Sequence, residues 1–207
     1  MKLNVPPTKT NQLILKQDLA MATEGFDLLE QKREILVMEL MHLLDRVKLV
    51  HQELEERRKK AYDTLKRAVS FNGYYHMRNI ASGIRYDHKV SYQTRVAAGI
   101  RIPTLEIEQG EFKLQYGFAG TDSLVDQTMN DFLLLLEVVG KLAELESSVW
   151  LLARELKKTQ RQVNALEHIF IPDYKETLKY IEQVLESKEL DSFFTMKLAK
   201  KQMTEET

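Results

Sequence analysis

Apolar side chains recur every seven residues through the first third of this chain. Two such series, offset by four residues, run through the same stretch, at Leu15, Ala22, Leu29, Leu36, Leu43 and Val50 and at Leu19, Phe26, Leu40, Val47, Leu54, Ala61 and Ala68. Series with this offset occupy the a and d positions of a heptad repeat, which form the seam of a coiled coil. The pattern therefore predicts one long helix that buries a narrow apolar stripe against a partner helix.

Two arginines, Arg33 and Arg57, interrupt this seam. A charge at such a position is typical of a place where the partner helix diverges or where a third element packs. Alternatively, the aliphatic part of each arginine covers apolar neighbours while its guanidinium stays in water. The sequence leaves both interpretations open.

The last third of the chain repeats the design. Its two series are Leu135, Leu142, Val149, Leu156, Val163 and Phe170, and Val138, Leu145, Leu152 and Leu166. Beyond Pro172 the apolar residues are out of phase by one position, at Tyr174, Leu178, Ile181 and Leu185. We interpret Pro172 as a kink in a helix that continues from Asp173 to Lys201. A helix that ends at Ile171 and a new one that has Pro172 in its first turn is the competing interpretation.

Two long helices with apolar stripes should fold back on each other as an antiparallel pair, because each buries its stripe on the other. Both chain ends then lie at one end of the pair and the middle of the chain at the other. The second helix is the longer one, so its last turns should project beyond the first. The fold class predicted is mostly α, a long antiparallel two-helix coiled coil with a small α/β or β-hairpin insert at one end.

The middle of the chain alternates between apolar and polar residues, which is a strand signal. The alternating apolar or β-branched residues are Val90, Tyr92, Thr94 and Val96, then Leu105 and Ile107, then Phe112, Leu114, Tyr116 and Phe118. Gln109-Gly110 suits a hairpin turn, and we interpret "GYYHMRNI" from Gly73 as an aromatic junction between helix and sheet. We expect a small sheet that caps the pair and serves as a docking surface. The division predicted is 1–71, 72–121 and 122–207.

Composition narrows the function classes. Lys plus Arg number 30 and Asp plus Glu 31, so the chain lacks the basic excess expected of a nucleic-acid-binding protein. It contains no cysteine, which favours a reducing compartment. The start "MKLNVPPTKTNQ" lacks the apolar core of a signal peptide, and the run "FLLLLEVV" is too short to cross a bilayer. We expect a cytoplasmic protein that touches a membrane only through partners.

Residue patterns for catalysis or ligand binding are missing. No glycine-rich phosphate loop occurs, and the histidines are scattered, at His42, His51, His76, His88 and His168. We expect Trp150, Met38 and Met41 to pack on apolar helix faces. We therefore expect no catalytic residue, no cofactor and no metal site.

Four segments carry a resemblance to a known family. They are "PPTKTNQLILK" near the start, "GFDLLEQKREILV" over 25–37, "RVAAGIRIPTLE" over 95–106 and "RQVNALEHIFIP" over 161–172. Together they resemble the D subunit of the rotary V-type and archaeal A-type ATPases over nearly the whole chain. The resemblance implies a central rotor stalk that couples ATP hydrolysis or synthesis to proton or sodium transport, and that is not itself catalytic.

The resemblance also implies partners and an interface. The paired helices would stand inside a ring of catalytic and regulatory ATPase subunits, with their base held by a small companion stalk subunit and by a funnel-shaped subunit on the membrane ring. The candidate interface residues are Arg161, Asn164, Glu167, Phe193, Phe194, Lys197, Lys200 and Lys201. The lysines have an alternative interpretation as a solvated helix terminus, because cations favour that end of the helix dipole.

Two other classes of function compete with the rotor. A two-helix coiled coil could be the stalk or adaptor of a secretion or export apparatus, although that interpretation does not account for the motifs over 95–106 and 161–172. An enzyme is the least favoured class.

Overall fold

A computed structural model of the protein describes residue 3 and residues 5–84, 89–97, 99–108, 116–117 and 121–205. In chain order the elements are α1 (Lys9–Asn72), α2 (Tyr74–Gly83), β1 (Lys89–Ala97), β2 (Ile100–Glu108), α3 (Ser123–Ala165), a π-helical turn (Leu166–Phe170) and α4 (Ile171–Glu205). Long helices on either side of a two-stranded antiparallel hairpin confirm the predicted fold class.

Contacts group the chain into two compact units, the first formed by the two ends of the sequence and the second by its continuous middle. The first contains Met1–Glu34 and Leu156–Thr207, and the second is Ile35–Glu155. The division into 1–71, 72–121 and 122–207 stays a prediction.

Antiparallel pairing is visible inside the first unit. Lys9 Nζ lies 2.7 Å from Glu189 Oε1. Farther along α1, Arg33 NH1 donates a hydrogen bond of 3.3 Å to Gln160 Oε1. The partner number falls as the α1 number rises, so the two helices run in opposite directions. Arg33, which is 30% exposed and also pairs with Glu30, thus bridges to the partner helix instead of marking a divergence.

The same antiparallel relation holds inside the second unit, because Lys141 of α3 interacts with Glu53 and Arg57 of α1, whereas the earlier Asp131 contacts the later Lys60. The rings of Tyr62 and Phe132 meet edge to face with centroids 5.6 Å apart. Beside them, Asp131 is only 5% exposed, accepts a hydrogen bond of 2.9 Å from Thr64 Oγ1 and lies 3.0 Å from Lys60 Nζ. A buried carboxylate needs such partners, because an uncompensated buried charge is strongly destabilising. The heptad pattern did not predict this polar cluster.

The predicted seam is confirmed with one exception. Its buried members include Leu15, Leu36, Leu43, Ala61, Ala68, Val138, Leu142, Leu145, Leu152 and Val163. The remaining seam residues are half-buried, apart from Phe170, which is 47% exposed. The prediction for Phe170 is wrong because the helix changes its hydrogen bonding just before Pro172.

A cysteine pair tests this register. Counting equal steps along both helices from the Tyr62–Phe132 contact brings Leu43 close to Leu152, and both are buried. Since the chain has no cysteine, Leu43→Cys with Leu152→Cys should form a disulfide within one molecule under mild oxidation. Non-reducing electrophoresis and mass spectrometry would detect it. The control pair, Leu49→Cys with Leu152→Cys, should not crosslink because Leu49 is 66% exposed. Crosslinking only between molecules would contradict the hairpin of helices.

The backbone stays helical past Pro172. The Ile171 N–H donates to the Leu166 carbonyl, five residues back instead of four, within a π-helical turn at Leu166–Phe170. A proline has no N–H and its ring clashes with the carbonyl four residues earlier. The π-helical turn is wider than an α-helical one and contains His168, whose carbonyl is the one that the Pro172 ring would meet. Beyond it α4 continues to Glu205. The interpretation of two separate helices is therefore wrong.

The π-turn also explains the change of phase. It places one extra residue in the helix, so seam positions after it fall one residue later. Val163 is buried before the turn, and Leu178 and Ile181 are buried after it. At the turn Ile171 is half-buried while Phe170 is exposed, so Ile171 takes the place that Phe170 would otherwise have.

The hairpin agrees with the prediction for the first two runs of alternating residues. β1 contains the first run, and β2 contains Leu105 and Ile107 but begins earlier, at Ile100. Gly99 has a φ of 75° between the strands, a backbone conformation that favours glycine. The turn predicted at 109–110 and most of the run over 112–118 lie outside the described residues. Tyr116 is described, and it is not in a strand.

The short helix α2 was not predicted. Gly73, with a φ of 79°, ends α1 and the chain becomes helical again at Tyr74. Met77 and Ile80 of α2 line an apolar groove together with Leu65 of α1 and Val125 of α3. In the second unit the ends of α1 and α3 are therefore covered by α2, whereas the sequence pattern predicts the sheet there.

Candidate functional site

The tail of α4 is the first candidate surface. The first residue of α1, Lys9, pairs with Glu189, while α4 continues to Glu205. All residues from 186 to 200 are exposed. This confirms within the first unit the predicted projection of the second helix beyond the first.

Apolar residues cluster on this tail. Phe193 and Phe194 are 61% and 59% exposed, and their ring centroids lie 6.4 Å apart at 72°. Leu190 and Leu198 are 54% and 63% exposed and stand three to four residues away, on the same helical face. Lys197 belongs to this face as well, and it is exposed. An exposed apolar cluster next to cations is typical of an interaction site.

The remaining predicted lysines follow directly. Lys200 is exposed, and the side chain of Lys201 lies outside the described part of the chain. The structure therefore places Phe193, Phe194, Lys197 and Lys200 together on one exposed stretch of α4.

The motif residues form a separate group. Arg161 and Asn164 lie near the end of α3 and Glu167 lies in the π-turn, and all three are exposed at the surface of the first unit. Glu167 is 3.6 Å from His168 Nε2. Roughly 40 Å of helix separates this group from the apolar tail, at 1.5 Å per residue. The seven candidate residues whose side chains the structure describes therefore form two surfaces and not one site.

Asn164 is tied to the helix pair. Its Oδ1 accepts a hydrogen bond of 2.7 Å from Gln160 Nε2, and Gln160 Oε1 accepts one from Arg33 NH1. The amide of Gln160 thus connects the motif to α1. Through this link Asn164 helps to orient the motif surface. It also remains a candidate residue for contact with a partner subunit.

Ion pairs hold the start of α1 against α4 just before the tail. A hydrogen bond from Lys9 lowers the pKa of Glu189, and hydrogen bonds from Lys16 and then Gln12 lower the pKa of Glu182. A lowered carboxylate pKa means that the stabilisation is present above the ordinary value of 4.5 and is lost as the pH falls through the folded-state pKa. These pairs are exposed, so each contributes little.

Three residues assigned to packing are exposed instead. Trp150, Met38 and Met41 are 67%, 64% and 57% exposed. The heptad pattern already explains why Trp150 is exposed. Trp150 directly follows the seam residue Val149, and a residue at that heptad position points away from the partner helix.

Sequence reasoning also missed an apolar stripe on α1. In the first unit Ile14, Met21 and Leu28 are 48%, 71% and 67% exposed. They are spaced by seven residues, and each directly precedes a seam residue. The seven-residue spacing of these residues can be seen in the sequence. Their exposure in the structure is what shows that they lie outside the buried seam.

The hairpin presents an apolar face of its own. Val90, Tyr92 and Val96 alternate along β1 and are 45%, 73% and 68% exposed. Side chains two residues apart share one face of a strand. One face of β1 is therefore apolar and exposed, and the opposite face, with Lys89, Gln93 and Arg95, is polar and exposed as well.

Neither a metal centre nor a membrane span is found where the structure describes the chain. No three His, Asp or Glu side chains in that part come close enough to hold a metal ion. No described helix combines the length and the apolar character needed to cross a bilayer.

Comparison with known proteins gives matches over nearly the full length. The sequence profile of the ATP synthase D subunit family matches residues 11–201. A V-type ATP synthase D subunit of Treponema pallidum, designated number 2, is 40% identical over 97% of this chain and 96% of its own length. The V-type ATP synthase D subunit of Thermotoga neapolitana is 36% identical over 97% of this chain and 99% of its own length. The A-type ATP synthase D subunit of Pyrococcus horikoshii is 35% identical over 96% of this chain and 94% of its own length.

Proposed function

The chain belongs to the ATP synthase D subunit family, and we propose on that basis that it is the central rotor shaft of a V/A-type rotary ATPase. It would couple ATP hydrolysis or synthesis in a catalytic ring to proton or sodium transport across a membrane. The observation that carries the proposal is the long antiparallel helix pair whose second helix extends beyond the first. The alternative of an export stalk or adaptor is not supported.

The physical basis of coupling is differential contact. A shaft with different residues on its different sides favours a different conformation at each catalytic interface that it faces, so turning the shaft shifts those populations. The exposed side chains supply such asymmetry, because α1 has an apolar stripe at Ile14, Met21 and Leu28 while the motif around Arg161 is polar.

The tail of α4 is proposed to be the bearing inside the ring. Phe193 and Phe194 would enter apolar surroundings, and Lys197, Lys200 and Lys201 would face carboxylates of the ring subunits. Arg161, Asn164 and Glu167 are proposed as a second contact. Exposed aromatic anchors and cations are the residue types that dominate interfaces of this kind.

Membership in an ATP synthase complex implies other subunits as partners. We propose catalytic and regulatory ring subunits around the helix pair, and a small companion stalk subunit and a funnel-shaped subunit of the membrane ring at its base. The apolar face of the hairpin, Val90, Tyr92 and Val96, is the proposed docking surface for a neighbouring subunit. The protein would be cytoplasmic, peripheral to the membrane through the complex, and not itself catalytic.

Co-purification tests the rotor. A tagged full-length chain expressed in its natural host should bring down a ring of ATPase subunits together with ATP hydrolysis activity. Recovery of an export apparatus in place of the ring would overturn the proposal, and so would ATP turnover by the isolated chain. A matched control is the chain with Leu36→Ala and Leu152→Ala, two fully buried seam residues, which should lose the ring because the helix pair is loosened.

A further inference from the structure

The seam of the second unit contains a buried polar pair at two positions that the heptad pattern assigns to apolar residues. Asp131 precedes Val138 by seven residues and Thr64 follows Val50 by fourteen, so both continue the seam series of their helices. Asp131 is 5% exposed and Thr64 is 7% exposed. The two residues therefore replace one apolar layer of the helix pair with a polar layer.

Both oxygens of the Asp131 carboxylate have partners on α1. Oδ2 accepts a hydrogen bond of 2.9 Å from Thr64 Oγ1, and Oδ1 lies 3.0 Å from Lys60 Nζ. The Thr64 hydroxyl has one proton and also lies 2.9 Å from the carbonyl oxygen of Lys60, but the charged carboxylate is the stronger acceptor. Ala61 and Ala68 are fully buried beside this layer, and their small side chains let α1 and α3 approach closely enough for aspartate and threonine to meet.

An apolar seam alone does not select a single register for the helix pair. If α3 slides along α1 by seven residues, about 10 Å, apolar seam residues again stand opposite apolar seam residues. The polar layer is what distinguishes the registers. The residues that would replace Thr64 and Lys60 opposite Asp131 are Arg57 and Glu53 in one direction, and Phe71 and Arg67 in the other.

Neither slipped register satisfies Asp131 as well as the observed one. The ring of Phe71 has no hydrogen-bond donor, so one carboxylate oxygen would lose the partner that Thr64 provides. In the other direction Asp131 would share Arg57 with Glu53, whose carboxylate already lies 3.9 Å from Arg57 Nε and repels a second one. A buried carboxylate that loses its partners is strongly destabilising, so both slips are disfavoured.

We propose that Asp131, Thr64 and Lys60 form a polar key that fixes the register of α1 against α3, with Asp131 as its positioning residue. A buried polar residue at a single seam position can specify the register of a coiled coil at a cost in stability. The polar key is a property of the isolated chain. Its consequence rests on the proposed rotor function, because a shaft under torque experiences shear between its two helices and the key opposes their sliding.

Disulfide trapping on the full-length chain measures the register. Leu43→Cys with Leu152→Cys reports the observed register, because these two residues lie three heptads from Thr64 and Asp131. Two further pairs of seam residues report the slipped registers, Val50→Cys with Leu152→Cys and Leu43→Cys with Leu145→Cys. While the polar key is intact, only the first pair should crosslink within one molecule under brief oxidation.

An apolar variant, Asp131→Leu with Thr64→Val, removes the polar key without leaving either group unpaired. The ratio of slipped to observed-register crosslinking should rise at least about tenfold, the factor that corresponds to one hydrogen bond with a charged group. The urea midpoint should stay the same or rise, because apolar replacement of a buried ionic cluster is often neutral or stabilising. Asp131→Asn keeps an acceptor oxygen and should retain the observed register.

Ser148→Ala is the matched control. Ser148 is also buried, but its hydroxyl donates to the carbonyl of Glu144 within α3, so its loss should leave the register unchanged. Crosslinking in the observed register alone in the apolar variant would overturn the proposal, and so would equal slippage in Asp131→Asn. Failure of the apolar variant to fold, followed by circular dichroism, would overturn it too, because the cluster would then supply stability and not register.

The assembled ATPase tests the mechanical consequence. The apolar variant should transport fewer ions for each ATP hydrolysed, and Asp131→Asn should keep the normal ratio. If the register relaxes in the isolated chain but this ratio does not change, the claim about sliding under torque is wrong. Absence of any ATPase ring in co-purification of the unmodified chain would instead refute the rotor, and would leave the crosslinking result standing.

Discussion

Replacing Leu36 by alanine should lower the free energy of unfolding by about 2 to 5 kcal/mol, the range for truncating a fully buried leucine. Leu36 is 0% exposed in the seam of α1. The loss combines apolar area returned to water with a cavity that two straight helices cannot collapse to fill. Urea denaturation followed by far-ultraviolet circular dichroism would measure it.

Leu49→Ala is the matched control on the same helix. Leu49 is 66% exposed, so its truncation should change the free energy of unfolding by less than about 0.5 kcal/mol. Equal effects of the two substitutions would mean that Leu36 is not in a seam, and would contradict the heptad register.

Ending the chain after Glu189 should leave the helix pair folded but weaken the ring complex. The buried residues Leu178 and Ile181 and the pair between Lys9 and Glu189 all remain, so the thermal midpoint of the isolated chain should hardly change. Phe193 and Phe194 are removed. If they are anchors worth about 2 kcal/mol each, affinity for the ring should fall about 30-fold for the loss of one and several hundredfold for the loss of both. Complex lifetime, ATP hydrolysis and ion pumping are the measurements.

A charge variant separates the lysines from the aromatic residues. Changing Lys197, Lys200 and Lys201 to glutamine should produce a milder loss that shrinks as salt is added, because exposed charges are screened. If the truncated chain matches the intact chain in complex lifetime, hydrolysis and pumping, the tail is not a bearing. A loss caused by the lysine variant that does not depend on salt would contradict the assigned carboxylate partners.

The helix pair could be predicted from the sequence because one physical signal dominates it. A seven-residue spacing of apolar residues has few interpretations, and the exposed end of α4 followed from counting residues along the two seams. The insert is different. α2 is too short to show a reliable helical repeat of apolar residues. It begins after the positive φ of Gly73, and a glycine in the sequence permits such a φ without requiring it.

Polar contacts were the least predictable part of the candidate surfaces. The burial of Asp131 beside Thr64 depends on which residues of α1 come opposite α3, and so does the bond from Arg33 to Gln160. The approach of Glu144 to Leu105 depends on where the hairpin folds back. A local pattern carries none of this information, because each contact joins residues far apart in the chain.

The π-turn at Leu166–Phe170 has a consequence for the direction in which the tail faces. Each residue of a helix turns the chain by about 100° about its axis. One extra residue therefore sets back the azimuth of each residue from Ile171 to Glu205 by about that angle relative to an uninterrupted α-helix. The π-turn therefore fixes the rotation of α4 about the helix axis relative to the residues before the turn. It keeps Leu178 and Ile181 directed at α1, and it sets the bearing angle at which Phe193 and Phe194 leave the pair.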